Sequence, residues 1–405
     1  MGRHSSQQRA SLPVVFITLF IDLLGFGIVL PLLPYYAHQF HASAVTVGAL
    51  IASYSAMQFV CAPVWGRWSD RIGRRPIMLI SLAGSTCSYA LFAAADGIGL
   101  LFVSRVLAGV AGANIPVAQA FIADSTNEEE RARGMGLIGA AFGLGFVFGP
   151  AIGGFLAQYG HRAPGLAATV ICGINLLAAL WWLPESLPPA QRQQTRPAAR
   201  FAQLRDAFRH PRLARLIVVF AAVVFSFSTM ETTLALLCAT AYGMSASHIY
   251  WLFGYMGVLI TLMQGGLIGG LSQRIDEISL VVIGAGLLAA GLGAAPFAPP
   301  LAPLLIALAA IAFGQGMTSP VLSSLISKSS RENDRGGVLG ISQSVGSLAR
   351  ILGPLWGGML FDHAGPAGPY VTTAALMLVA AGVALSLPHR VVDAADSRVE
   401  LKARL

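Results

Sequence analysis

The sequence predicts an all-α polytopic membrane protein, with twelve transmembrane helices in two pseudo-symmetric six-helix bundles. Three observations predict it. Only 11% of the 405 residues are charged and 55% are hydrophobic, against roughly 25% charged in a soluble domain. Twelve apolar stretches are each long enough to cross a bilayer. The second half repeats the first at an offset of 204 residues. The same composition excludes a soluble two-domain protein, a disordered chain and a nucleic-acid-binding module, despite a net charge of +8.

A helix that crosses the hydrocarbon core needs about 20 mostly apolar residues. In chain order the stretches lie near 13–37, 44–66, 77–95, 98–123, 134–158 and 166–184, then near 213–240, 248–270, 278–298, 301–327, 336–361 and 368–388. They are long and lack the period-two alternation of an outer-membrane barrel. The first run is too long for a signal peptide, contains Asp22 and lacks a small-residue cleavage site, so it reads as span 1.

Basic residues set the orientation. Of the 26 Lys and Arg residues, 23 fall on one side if the spans alternate. They cluster after span 2 (Arg67, Arg71, Arg74, Arg75), after span 4 (Arg131, Arg133), between spans 6 and 7, after span 10 and at both termini. The opposite loops carry only Arg162, and Arg105 and Arg350 lie inside spans. Both termini are therefore expected to be cytoplasmic, in the cell inner membrane.

The repeat is ungapped. Gly149-Pro150-Ala151-Ile152-Gly153-Gly154 falls on Gly353-Pro354-Leu355-Trp356-Gly357-Gly358, Gly112 on Gly316, Pro116 on Pro320 and Arg131 on Arg335. Parallel halves of this kind are a transporter architecture with a binding site between them. The expected organisation is a first bundle at 1–184, a polar linker at 185–212 and a second bundle with a short tail at 213–405. A short amphipathic helix fits near 200–210.

Three segments carry a pattern. Gly66-Arg-Trp-Ser-Asp70-Arg71-Ile-Gly73-Arg74-Arg75-Pro76 follows span 2. Gly66 and Gly73 allow a tight reversal, and Asp70 among arginines suits a charge lock or a helix N-terminus of the other half. Span 4 holds Arg105, Gly109 and Gly112. In span 5, Gly145, Gly149 and Gly153 repeat every four residues beside Pro150 and Gly154, a smooth stripe for close helix contact.

On these segments the chain resembles the major facilitator superfamily and, more narrowly, its twelve-span drug:proton antiporters, including the tetracycline-efflux group. Gly66–Pro76 matches the superfamily's loop signature, Arg105 with Gly109 the span 4 signature, and Gly145–Gly154 the signature associated with antiport. Phe20-Ile-Asp22-Leu-Leu-Gly25 through Pro31 and Pro34 resembles span 1 of the tetracycline exporters. The resemblance implies a major facilitator fold, and a cytoplasmic lock of Asp70, Arg74 and Asp124 that holds the outward-facing state. The chain also departs from the pattern. Gln273 replaces the acid in the second copy of the loop, and Ser88 stands where tetracycline exporters carry an acid. Glu231, in Ser228-Thr-Met-Glu231-Thr-Thr, is closer to other members of the drug-efflux group.

Ionisable residues at span centres cost at least about 2.5–3.5 kcal/mol on insertion scales. Asp22, Glu231, Arg105 and Arg350 are the candidates for proton coupling. The alternative is that each acid is held in a permanent ion pair between helices. Depth along the helices lets Glu231 meet Arg350 and makes direct contact between Asp22 and Arg105 harder. Tyr35, Tyr54, Gln58, Asn114, Gln119, Gln264, Gln315 and Gln343 are candidate cavity residues, an apolar lining with scattered amides that suits a lipophilic or amphipathic substrate.

All eight histidines lie at span edges, in loops or near the termini, and Cys61, Cys87, Cys172 and Cys238 show no ligand spacing. No metal or cofactor is expected. With no hydrolytic constellation and no Walker-type loop, neither an intramembrane enzyme nor an ATP-driven pump fits. The expectation is a monomeric secondary transporter in the lipid bilayer that exchanges protons for hydrophobic drugs or antibiotics. A proton-coupled carrier of one metabolite, such as a sugar or organic anion, is the alternative.

Overall fold

A computed structural model describes residues 2–31, 33–34, 40–126, 128–160, 162–188, 192, 210–299, 301–329 and 335–387. These residues form twelve long helices and no strand. They are α1 (Gly2–Val29), α2 (Ala44–Ile72), α3 (Arg74–Ala93), α4 (Ile98–Ser125), α5 (Glu128–Ala157), α6 (Ala163–Trp182), α7 (Pro211–Thr240), α8 (Ser247–Leu271), α9 (Glu277–Ala294), α10 (Leu301–Lys328), α11 (Arg335–Ala364) and α12 (Gly368–Leu385). Among the described residues, nine of these helices are long and apolar enough to cross a membrane, and Pro13–Val29 and Gly143–Ala157 are shorter apolar helical segments. Tyr35 and the expected helix near 200–210 lie outside the described residues, 210 itself excepted.

The helix ends follow from local chemistry. Ser43 caps α2, its hydroxyl accepting from the Thr46 N–H at 3.2 Å, and Asp276 caps α9 by accepting from the Ser279 N–H at 2.9 Å. Such caps contribute about 1 kcal/mol each. One expectation is corrected here. The segment from Gly66 to Ile72 is not a loop but the last two turns of α2. The whole reversal into α3 is made at Gly73, whose φ of 112° disfavours any other residue. One left-handed residue suffices for the turn, so Gly66 has no part in it.

Helices α1 to α6 pack among themselves: α1 lies against α5 and α6, α3 against α4 and α6, and α2 against α4. In α7 to α12, α9 lies against α10 and α12, and α7 against α11 and α12. Across the middle, α2 meets α11 and α5 meets α8. The outer faces stay apolar. Leu166, Val170, Ile174, Leu177 and Trp181 form an exposed stripe along one face of α6. A stripe of this size is the surface a helix presents to lipid rather than to water.

Candidate functional site

The centre of the first half is a polar network built on a break in α4. Pro116 has no N–H, so the carbonyl four residues back, that of Gly112, is left without its helical donor. The helix tightens to a 3-10 turn over Gly112–Asn114. Gln58 Nε2 donates to the freed Gly112 carbonyl at 2.9 Å, and the Ser81 hydroxyl donates to the Ala111 carbonyl at 2.7 Å. The turn aims Asn114 inward. Its Nδ2 donates to Ser81 Oγ at 2.7 Å and to Asp22 Oδ2 at 3.4 Å. Asp22 is buried, flanked by Ser85, and its Oδ1 accepts no hydrogen bond.

Arg105 lies deeper in α4 and is 1% exposed. Its guanidinium stands 5.3 Å over the Phe92 ring, its Nε reaches Ser104 Oγ at 3.4 Å, and its Nη2 has no hydrogen-bond partner. Asp22 and Arg105 form no ion pair. Glu231 on α7 and Arg350 on α11 feel each other's charge but also make no direct ion pair. Tyr54 on α2 joins these groups. The charges of Asp22 and Arg105 in its own half, and of Arg350 in the other, all act on its hydroxyl. Gln58 donates to that hydroxyl at 3.4 Å. Gly109 and Gly112 let α4 approach Tyr54 this closely, since a Cβ on Gly112 would lie 2.6 Å from the Tyr54 hydroxyl.

Of the remaining cavity candidates, Gln315 is half-buried with its Oε1 unpartnered. Gln119 and Gln343 are exposed, and Gln264 is exposed in a π turn over Met263–Leu267. Ser88 donates to the Ser85 carbonyl at 2.7 Å within α3.

At the Gly73 end the charged residues converge. Arg74 pairs with Asp70 and, through Nε at 3.1 Å, with Asp124, and donates to Ser69 Oγ at 2.7 Å. Arg71 points outward and is exposed. Glu185 was not anticipated from the sequence. Its carboxylate accepts from the Arg74 N–H at 2.9 Å and the Arg75 N–H at 3.3 Å, so it caps the N-terminus of α3, and it lies 3.9 Å from Arg192. An anion there is favoured by the helix dipole. Among the described residues, every member named here belongs to the first half or to the segment just after it.

Among the described residues, the close backbone contacts between the two halves gather toward one end. On α2, a Cβ on Gly48 would collide with the Pro354 carbonyl of α11, yet one on Gly66 would meet nothing within 4 Å. These positions are 18 residues apart, five full turns, and so lie on nearly the same helix face about 27 Å apart. On α11 the same spacing gives the same contrast. Gly358 abuts Ala44 and Val45 of α2, and Gly340 meets nothing. The second seam is closed at the same end, where a Cβ on Gly154 of α5 would lie 2.5 Å from Tyr250 Cβ of α8. The glycine stripe of α5 therefore serves two partners. Gly145 and Gly149 lie against Leu23 and Gly27 of α1, while Gly153 and Gly154 reach Tyr250. The molecule is a V, closed at the Ser43 end and open at the Gly73 end.

Two halves that part at one end around buried charges are the geometry of a carrier, and the comparisons name its family. Residues 15–301 and 265–403 match the model of the Major Facilitator Superfamily. This chain belongs to the major facilitator superfamily. Among its relatives, the class C tetracycline resistance protein of Escherichia coli is 34% identical over 355 residues, covering 85% of this chain and 88% of that protein. Multidrug resistance protein 2 of Bacillus subtilis (strain 168) is 28% identical, covering 98% and 99%. Major facilitator superfamily domain-containing protein 10 of Bos taurus is 31% identical, covering 94% of each chain. The crystal structure of the human organic anion transporter MFSD10 superposes with a TM-score of 0.70 at 28% identity, covering 93% of this chain and 99% of that one. The major facilitator protein described here is thus a multi-pass membrane transporter and not an enzyme.

Proposed function

We propose that the protein is a proton-coupled antiporter that exports lipophilic or amphipathic drugs by alternating access. The observation that carries this reading is the Asp22 carboxyl. It is buried, accepts from Asn114 at one oxygen, has only the flanking Ser85 near the other, and forms no ion pair with a described arginine. A permanent ion pair would make it a structural acid. An unpaired buried acid is instead one whose charge is costly and whose proton is exchangeable. Glu231 is the matching acid of the second half, within the field of Arg350. The names of the tetracycline and multidrug resistance relatives support a drug as cargo.

With the arginine-rich Gly73 end in the cytoplasm, the V faces inward. In this cycle, substrate enters from the cytoplasmic cleft while Asp22 or Glu231 is ionised. After the halves rock, protonation of the acid from outside releases substrate. Return to the inward state and loss of the proton restore the site. The cluster of Asp70, Arg74, Asp124 and Glu185 holds the first half's cytoplasmic rim rigid through this motion. The transporter works as a monomer and needs no metal or cofactor.

The test is substrate-driven proton movement in proteoliposomes. Asp22→Asn and Glu231→Gln should each lower coupled exchange by at least tenfold, and the double variant should abolish it. Full coupled exchange by the double variant would reject the mechanism. A second reading, a carrier of organic anions, is favoured by the unpartnered Nη2 of Arg105 and by the MFSD10 likeness. Counterflow of an anionic dye that disappears in Arg105→Gln, with no drug transport by the wild type, would select it.

A further inference from the structure

We propose that Asp362 is a latch on the Ser43 end: its carboxylate, carried by α11, caps the first turn of α2 and holds the two halves together there. Oδ1 accepts from the Ala44 N–H at 3.0 Å and Oδ2 from the Val45 N–H at 2.9 Å. The donor and acceptor residues are 318 and 317 positions apart, so these bonds cross the seam.

The arrangement goes beyond what α2 needs to form. The helix already has its own cap in Ser43, which satisfies the Thr46 N–H. The two N–H groups before it point out of the helix end, where water would satisfy them in an open seam. Here a carboxylate from the other half takes both. The contacts on either side are backbone against glycine, with Gly48 under the Pro354 carbonyl and Gly358 under the Ala44 carbonyl. Those contacts set the distance of approach, and Asp362 adds charge and direction. An anion at a helix N-terminus gains both charge-assisted hydrogen bonds and the dipole, and the gain fades beyond the first turn. It therefore acts only while the Ser43 end is shut. A group that interacts with one conformation and not the other shifts the balance between them. The repeat makes the device one-sided, because the position that precedes Asp362 by 204 is Gln158, at the end of α5. The inference needs only that the two ends open alternately. It holds whatever the cargo or coupling ion, so failure of the antiport reading would leave it standing.

The test measures distances between spin labels on the two halves in the full-length protein, with Cys61, Cys87, Cys172 and Cys238 replaced by alanine. One pair, Arg67→Cys with Gly340→Cys, reports the Gly73 end. A second pair, Tyr159→Cys with Trp251→Cys, reports the Ser43 end on the other seam, away from the latch. Asp362→Asn keeps the shape but turns an NH2 toward one of the two donors. It should raise the population open at the Ser43 end about tenfold, with the Gly73 end closing to match.

Ala44→Pro removes one donor and keeps the charge. Proline suits the first helical position, and Ser43 already has the extended backbone (ψ 161°) that a following proline requires. It should shift the same populations in the same direction, by about threefold. This variant keeps the idea testable even if Asp362→Asn inserts poorly. Unchanged distances in both variants would overturn the latch, and so would a shift in Asp362→Asn with none in Ala44→Pro.

Discussion

Replacing Gly149 by alanine would set a methyl carbon 2.5 Å from the carbonyl carbon of Gly27 and 2.6 Å from its Cα. Both obstacles are backbone, so no rotamer change relieves them. To reach ordinary contact at 3.4 Å, α1 and α5 must part by roughly 0.9 Å along most of their packed length. Overpacking costs about 1–3 kcal/mol where side chains can yield, and a backbone clash lies at the upper end. Alanine returns about 1 kcal/mol of helix propensity over glycine. The net loss is about 2 kcal/mol, or a fall in Tm of about 4–8 °C for a bundle of this size. The assay is thermal unfolding of the purified protein in detergent, beside Gly143→Ala as control. Gly143 is on the same helix, but its Cβ would sit 3.5 Å from Thr261 Oγ1, an ordinary contact. It should unfold at or slightly above the wild-type temperature. Equal stability of Gly149→Ala and Gly143→Ala would refute the close-approach account of the stripe.

Asn114→Ala removes the donor shared by Asp22 and Ser81. Transport should fall about tenfold, as expected for one hydrogen bond to a charged group, with Tm within a few degrees of wild type; counterflow measurements check it. Glu185→Ala uncaps α3 and should cost about 1 kcal/mol in unfolding experiments, and Glu185→Gln less, because one amide oxygen still accepts. Arg74→Ala removes the cation that Asp70 and Asp124 share; both acids remain partly hydrated and Asp124 keeps the Ser186 hydroxyl, so the change should cost about 1–2 kcal/mol. Arg71→Ala, on an exposed side chain, should change stability by less than about 0.5 kcal/mol. A lipid-soluble maleimide should label exposed Cys87 on α3 and leave buried Cys172 and Cys238 unmodified unless the protein is denatured.

Much of the fold was legible because membrane helices announce themselves residue by residue. The apolar runs near 44–66 and 77–95 correspond to α2 and α3, and the Gly149–Gly154 repeat at 353–358 correctly implied two similar bundles. Helix ends were less legible. The helix α2 runs on to Ile72 because its arginines are good helix formers once outside the hydrocarbon, and hydropathy stops reading them there. The break in α4 had a visible cause in Pro116, but its partners did not. Gln58, Ser81 and Asp22 come from three other helices, and no spacing in the chain pairs them. Glu185 and Asp362 escaped notice for a related reason. Each is an acid just past or near the end of a span, where acids are common and usually solvated. Only the placement of a foreign helix N-terminus beside each one gives it a role.

What the linear chain determined by itself is everything that depends on composition and period: a membrane solvent, helices, a duplicated bundle, and buried charges too costly to be accidental. What only the tertiary structure decided is who faces whom. It showed that Asp22 and Glu231 form no direct ion pair with a described arginine although Glu231 lies within the field of Arg350, that one glycine stripe serves two neighbours, and that the V opens at the Gly73 end. Periodicity fixes the face on which a side chain lies, but the neighbour that face meets is set by packing between helices far apart in the sequence.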